Sequence, residues 1–93
     1  MIAEPKSFKC VISIRRIERD PDVSDKYLLS GEIISAEEGA KDNSFFRIGR
    51  FITGFTFNLP ADISEESEVK ADVEFMGDPF VQNYHLRNVE LNC

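Results

Sequence analysis

Residues 7–19, SFKCVISIRRIER, decide the fold because their apolar side chains change faces once along the segment. Every second residue from Phe8 to Ile14 is apolar, which is the alternation of a half-buried β-strand. Ile17 falls on the opposite parity. A β-bulge at Arg15–Arg16 would return Ile17 to the core side and bend the strand.

The same change of phase recurs in two later segments. In FFRIGRFITGFTFNLP, residues 45–60, the alternation slips at Gly49–Arg50, and in FVQNYHLRNVEL, residues 80–91, it slips near Arg87–Asn88. Strands that bend in mid-course are typical of small barrels, whose corners need a bulge or a glycine.

Two further segments complete the predicted sheet. KYLLSGEIISA, residues 26–36, is partly apolar on both faces, and its Gly31 indicates a bend or a close backbone approach. VKADVEFM, residues 69–76, alternates regularly, with Val69, Ala71, Val73 and Phe75 predicted to face inward. Between the third and fourth strands, residues 61–68 are predicted to form a short helix or a loop.

The chain is therefore predicted to be all-β, with one short helix at most. Five strands in this order predict a small antiparallel barrel that resembles the OB-like Greek key in element order. An open β-sandwich, or a sheet with one helix, remains the alternative. We expect one domain over residues 1–93, with residues 1–6 as a flexible N-terminal arm.

Five phenylalanines within residues 45–57 are either core or surface. Their parity predicts that Phe51, Phe55 and Phe57 face the core. Phe45 and Phe46 are adjacent, so in a strand they point to opposite faces, and one of them is predicted to lie outside.

Charge and cysteine content indicate the setting. The net charge is −6, and residues 51–93 carry eight acidic and two basic side chains, against nine of each in residues 1–50. Cys10 is expected to be a small buried hydrophobe, and Cys93 to be unpaired. No segment reads as a signal peptide or a membrane span, so we expect a cytoplasmic protein with no membrane partner.

Little in the sequence suggests catalysis. His85 is the only histidine, and it is predicted to face solvent. Metal-ligand spacing and nucleotide-binding or hydrolase motifs are absent from the sequence, so we predict no catalytic residue, metal or cofactor. Asp20, Asp22 and Asp25 lack calcium-loop spacing and are predicted to form a solvated turn.

The chain is thus predicted to be a non-enzymatic binding module, most simply an acidic protein-interaction, accessory or inhibitor domain. Its partner would be another protein, for which a basic surface is suited, or a second copy of itself. The alternative is binding of single-stranded nucleic acid or an oligosaccharide through arginine and phenylalanine on strands one to three, which the charge disfavours. A small-molecule pocket inside so small a barrel is least favoured. The candidate binding surface consists of Arg15, Arg16, Arg19, Phe45, Phe46, Arg47 and Arg50.

Overall fold

The computed structural model describes residues 7–40, 43–76 and 83–92, and the predicted N-terminal arm lies outside them. The described residues form five strands and two short 3-10 turns, and contain no α-helix. The strands are β1 (Ser7–Arg19), β2 (Lys26–Ala36), β3 (Phe51–Phe57), β4 (Glu68–Phe75) and β5 (Tyr84–Leu91). The 3-10 turns are Glu38–Ala40 and Ser44–Phe46.

The five strands close into a barrel in the order β1-β2-β3-β5-β4, which confirms the predicted fold class. Four of the five neighbouring pairs are antiparallel. The pair of β3 and β5 is parallel and short, joining Gly54 to Tyr84 and Phe55 to His85, so the barrel is mixed. Closer kinship with OB barrels stays a prediction.

Two of the predicted phase changes are β-bulges in the structure. The register of β1 against β2 shifts between Ile14 and Arg16, so Arg15 is the extra residue, and Ile17 packs against the core as predicted. The register of β4 against β5 shifts between Lys70 and Asp72. Asn88 there adopts φ 54°, in the left-handed region that asparagine tolerates.

Side chains from all five strands fill the barrel. The largest fully buried ones are Tyr84, Phe46, Ile12, Ile14, Ile33, Leu86, Val69 and Val73. Residues 58–67, where a short helix was one expectation, consist of turns that place Ile63 in the core. The gap left between Ile12, Leu29 and Leu86 holds no water-sized sphere, so the interior is packed there.

Gly31 and Gly54 mark the places where strand backbones approach most closely. A Cβ on Gly31 would collide with the backbone oxygen of Ser13, which confirms the close approach predicted there. A Cβ on Gly54 would collide with the Tyr84 carbonyl oxygen and lie 2.9 Å from Leu86 Cδ1. Both strands therefore need a residue without a side chain at these points.

The prediction that Phe51, Phe55 and Phe57 face the core is wrong. The inward residues of β3 are Ile52, Gly54 and Thr56, which are all buried. Because side chains alternate along a strand, the three phenylalanines point outward. At Gly54 the backbone of β5 comes so close that no side chain fits on the inner side of β3.

Beyond Ser13, β1 runs past the end of β4 and loses its neighbour on that side. The chain before β4 covers part of the gap, since Ile14 N donates to Ser67 O and Glu66 N donates to Ile14 O. Further along, Ile17 N donates to the Glu65 carboxylate at 3.0 Å. The Glu65 side chain thus accepts a hydrogen bond from the Ile17 amide, which has no neighbouring strand on that side.

Candidate binding surface on the outer face of the barrel

The arginines at the end of β1 do not form an open cationic surface. Arg15 pairs with Glu32 at 3.4 Å, and Arg16 pairs with Glu18. The Arg19 side chain donates to the Ser24 backbone oxygen at 3.1 Å. The charges of Arg15 and Arg16 are therefore partly neutralised by carboxylates, whereas Arg19 is bound to a neutral carbonyl.

Phe45 and Phe46 do not form an exposed pair of rings either. Phe46 is 1% exposed and packs edge-on against Phe8 and Tyr84, so it has no part in a surface. The ring of Phe45 is half-buried and stacks on Phe75 at 4.0 Å. One of the two rings was predicted to lie outside, but Phe45 is only half-exposed and packs against the core, and the exposed rings belong to Phe51 and Phe57.

Of the last two predicted residues, only Arg47 is fully exposed. Arg50 is half-buried at one end of the barrel, where its Nε donates to the Tyr84 hydroxyl at 3.3 Å. The same hydroxyl donates to the Phe45 backbone oxygen at 2.8 Å. The structure brings Phe45 and Arg50 together, with the Arg50 guanidinium carbon 5.9 Å from the centre of the Phe45 ring, but it does not bring the seven predicted residues into one surface.

A different surface lies on the outside of β3. We call it the aromatic face and define it by Phe51, Phe55 and Phe57 on β3 and His85 on β5. Phe55 pairs with His85 across the β3–β5 seam. Their rings stack at 4.7 Å with an interplanar angle of 10°. The Phe57 ring meets both rings edge-on, at 5.8 Å from Phe55 and 5.9 Å from His85.

Exposure is uneven across the aromatic face. Phe51 is 67% exposed and Phe57 is 42% exposed. Phe55 is half-buried, because Lys26 Nζ lies 4.8 Å from its ring centre on the β2 side and His85 stacks on the β5 side. Both faces of the Phe55 ring are thus occupied within the molecule.

His85 makes the aromatic face neutral at physiological pH. Burial lowers the pKa of its imidazole, the nearby Arg87 charge lowers it further, and Glu74 opposes the shift. A neutral imidazole can stack on Phe55 without carrying a charge into an apolar surface.

Opposite charges flank the two ends of the aromatic face. At the Phe57 end lies the loop between β1 and β2, held there by the hydrogen bond from Asn58 N to Asp25 O. That loop contains Asp20, Asp22 and Asp25, and Asp20 also pairs with Lys26. At the Phe51 end lies the exposed Arg47 in the turn before β3, and Glu32, which pairs with Phe51 across the strands, is matched by Arg15.

The aromatic face had one usable signal in the sequence. Gly54 shares parity with Ile52 and Thr56, and a glycine inside a strand marks a close backbone approach. In this barrel both Gly31 and Gly54 face inward, towards the close approach. With Gly54 on the inner side, the phenylalanines, which have the opposite parity, lie outside.

A concavity lies on the side of the barrel opposite the aromatic face. It has a volume of about 510 Å³ and a lining of both charge signs, including Lys9, Lys70, Asp72 and Glu90. Cys10 reaches its floor, but burial, with a contribution from Glu37, raises the pKa of the Cys10 thiol to about 12. The thiol is therefore protonated and unreactive at neutral pH.

In the described part of the chain, no three histidine, cysteine, aspartate or glutamate side chains come together as metal ligands would. None of the described residues belongs to a helix long and apolar enough to cross a bilayer.

Comparisons with protein-family models, with curated proteins and with solved structures find no match to this chain.

Proposed function

We propose that the protein is a non-enzymatic protein-binding module that docks its partner on the aromatic face. The observation that carries this proposal is the inverted packing of β3. The strand places phenylalanine at three of its four outward positions and keeps small or medium residues inside.

Exposed phenylalanines are a source of binding energy. Full burial of a phenylalanine side chain contributes about 1.5–3 kcal/mol. Phe51 and Phe57 retain enough exposed area for a partner to gain part of that energy. Phe55 and His85 are already ordered by mutual stacking, so a partner that covers them loses little side-chain entropy.

The geometry favours a protein over a nucleic acid as partner. Nucleobases bind aromatic side chains by stacking on free ring faces, whereas both faces of Phe55 are covered. Exposed Asp22 and Asp25 at the Phe57 end would repel a phosphate backbone. Neither obstacle applies to apolar side chains of a protein.

Binding of a single-stranded nucleic acid or an oligosaccharide is the second candidate. OB barrels use the face of strands two and three for such ligands. Phe51 on that face is the most exposed phenylalanine among the described residues, and Arg47 is exposed in the turn that precedes it. One ring and one cation give this candidate a smaller basis than the whole aromatic face gives the first.

The proposal can be tested by selecting peptides from a random 12-residue display library on the wild-type protein. The counter-selection target is Phe51→Ser/Phe57→Ser, which changes only outward positions. We expect the enriched peptides to be rich in aromatic and aliphatic residues and to bind this variant about tenfold more weakly or worse.

A matched control replaces Thr53, the fourth outward residue of β3, by serine, which should leave peptide binding within about twofold of wild type because no ring is removed. The same proteins are titrated with a fluorescent oligothymidine of 12 nucleotides at low salt. Peptides that bind wild type and Phe51→Ser/Phe57→Ser equally well contradict the proposal. Phe51-dependent binding of oligothymidine, without peptide binding, supports the second candidate instead.

A further inference from the structure

The aromatic face is electrically polarised along β3. Its Phe57 end has three aspartates and two cations, namely Asp20, Asp22, Asp25, Lys26 and Arg19, whose side chain donates to the Ser24 backbone oxygen in the same loop. Its exposed Phe51 end has two arginines and one glutamate, namely Arg15, Arg47 and Glu32. One end thus has one negative charge in excess and the other has one positive charge in excess.

Exposed apolar side chains follow the same line. Six large hydrophobic residues in the described part of the chain are exposed, and four of them belong to the aromatic face or its two ends. Phe51 and Phe57 lie on the face, Val23 lies in the aspartate loop, and Ile48 lies in the turn that contains Arg47. Each end therefore presents one aliphatic side chain beside its charges.

A surface with these properties is complementary to itself. A two-fold axis that lies in the plane between the two faces, parallel to the sheet and perpendicular to β3, places the Phe57 end of one copy over the Phe51 end of the other. The aspartate loop of each copy then faces Arg47 of its partner, and Val23 faces Ile48. The uncharged rings meet in the centre.

We infer that the partner of the aromatic face is a second copy of this chain, packed face to face with the two β3 strands antiparallel. This inference rests on the proposed function, and it names the partner. Asp22 and Asp25 of one copy attract Arg47 of the other at both ends of the interface. None of these three side chains has an ion pair among the described residues.

The surface available for the dimer is small. Six residue steps along β3 span about 20 Å, and the three strands β2, β3 and β5 span about 10–15 Å with their side chains. Such a surface covers at most about 300 Å² on each copy, which is below the range for stable complexes and within that of weak, transient ones. The net charge of −6 on each copy further opposes association at low salt. We therefore expect a dimer that forms at micromolar protein concentrations and dissociates on dilution.

Charge reversal tests the arrangement most directly. In sedimentation velocity from about 5 to 500 μM, wild type should shift from monomer mass towards twice that mass. Arg47→Asp alone, and Asp22→Arg/Asp25→Arg alone, should each weaken dimerisation about tenfold or more, because each places like charges together at both ends.

Mixing the two reversed variants should restore association. In the mixed dimer, the new carboxylate of the Arg47→Asp chain faces the two new guanidinium groups of the Asp22→Arg/Asp25→Arg chain, and the remaining end keeps the wild-type pairs. Lys70→Glu, on the outer face of β4, is a matched charge reversal away from the interface and should not weaken the dimer. Circular dichroism and thermal melts confirm that each variant is folded.

Each outcome decides a separate point. A wild type that stays monomeric at 500 μM overturns the inference, while peptide selection on wild type, with Phe51→Ser/Phe57→Ser as the counter-selection target, still tests the proposed function. A dimer that survives both charge reversals, or that mixing fails to restore, overturns the antiparallel arrangement. A dimer that persists in Phe51→Ser/Phe57→Ser removes the aromatic face from the interface.

Discussion

Strands β3 and β4 solve the same packing problem in opposite ways. In β4 the buried residues are Val69, Ala71 and Val73, and polar residues alternate with them on the outside, so the hydrophobic pattern gives the correct orientation. In β3 the more hydrophobic side of the strand is the outer one. The comparison teaches that available space can outweigh hydrophobicity when a small barrel closes.

The difference arises from the distance between each strand and the backbone of its neighbour, β5. Gly54 on β3 allows the backbone of β5 to pass at a distance that no side chain would permit. Ala71 on β4 lies opposite the bulge in β5, where the neighbouring strand bends and a methyl group can be buried. Hydrophobic alternation therefore predicts orientation where strands are evenly spaced and fails where two backbones converge.

The largest expected effect is the loss of that close approach. Gly54→Val should destabilise the protein by about 3 kcal/mol or more, because its Cβ meets the Tyr84 carbonyl and its methyl groups have no space. Urea denaturation measures the change in the free energy of unfolding. Thr53→Val, at the adjacent outward position, should remain within about 1 kcal/mol of wild type. Equal losses at both positions would mean that β3 is not oriented as described.

The second prediction compares a small buried side chain on β4 with a large exposed one on β3. Val73→Ala on β4 removes two methyl groups from a fully buried site and should cost about 2 kcal/mol. Phe51→Ala on β3 removes a whole ring from a 67% exposed site and should cost less than about 1 kcal/mol. The same denaturation experiments give both values. A larger loss for Phe51→Ala than for Val73→Ala would place Phe51 in the core, as the sequence pattern predicted.

Asn88 tests the bulge against which Ala71 packs. Asn88→Ala places a residue with little tolerance for φ 54° in the left-handed region and removes the hydrogen bond from Asn88 Nδ2 to Asp72 at 2.7 Å. We expect a loss of about 1–2 kcal/mol. Asn88→Gly keeps the backbone conformation and loses only the side-chain bond, so it should be the less damaging change. The reverse ranking in thermal or urea unfolding would argue against a left-handed residue at the bulge.

The smallest expected effect is the pH dependence contributed by His85. Because the folded state lowers the pKa of His85, the unfolded state binds the proton more tightly. The His85 contribution to stability is therefore present above the unfolded pKa of about 6.5, and it is lost as pH falls through the lower folded value. Melting temperatures of wild type and His85→Gln between pH 5 and 8 should converge on acidification. An NMR titration of His85 that gives a pKa above 6.5 would reverse the sign.

The sequence predicted those parts of the fold that leave a mark on alternation. The bulge at Arg15 and the bulge at Asn88 each shift the parity of apolar residues, and Gly31 interrupts its strand visibly. The regular pattern of β4 required no correction. These features are local, and a bulge changes the sequence period directly.

The candidate site depended on information that alternation does not contain. The orientation of β3 depends on its short parallel contact with β5, which joins residues about thirty positions apart. Phe46 is buried because a 3-10 turn, and not a strand, places it against Phe8 and Tyr84. Strand parity could not predict either position, since one is set by a distant neighbour and the other does not belong to a strand.

The carboxylate of Glu65 at the end of β1 has a consequence for the behaviour of the molecule in crowded solution. Where β1 has lost its neighbour, an extended segment from another chain would need the Ile17 amide as its first attachment point, and Glu65 already occupies that amide. The same side chain brings a negative charge that an approaching backbone carbonyl would have to displace. Glu65 therefore removes one free donor from the part of β1 that β4 does not cover, and unpaired strand donors are the places where another chain can add a strand.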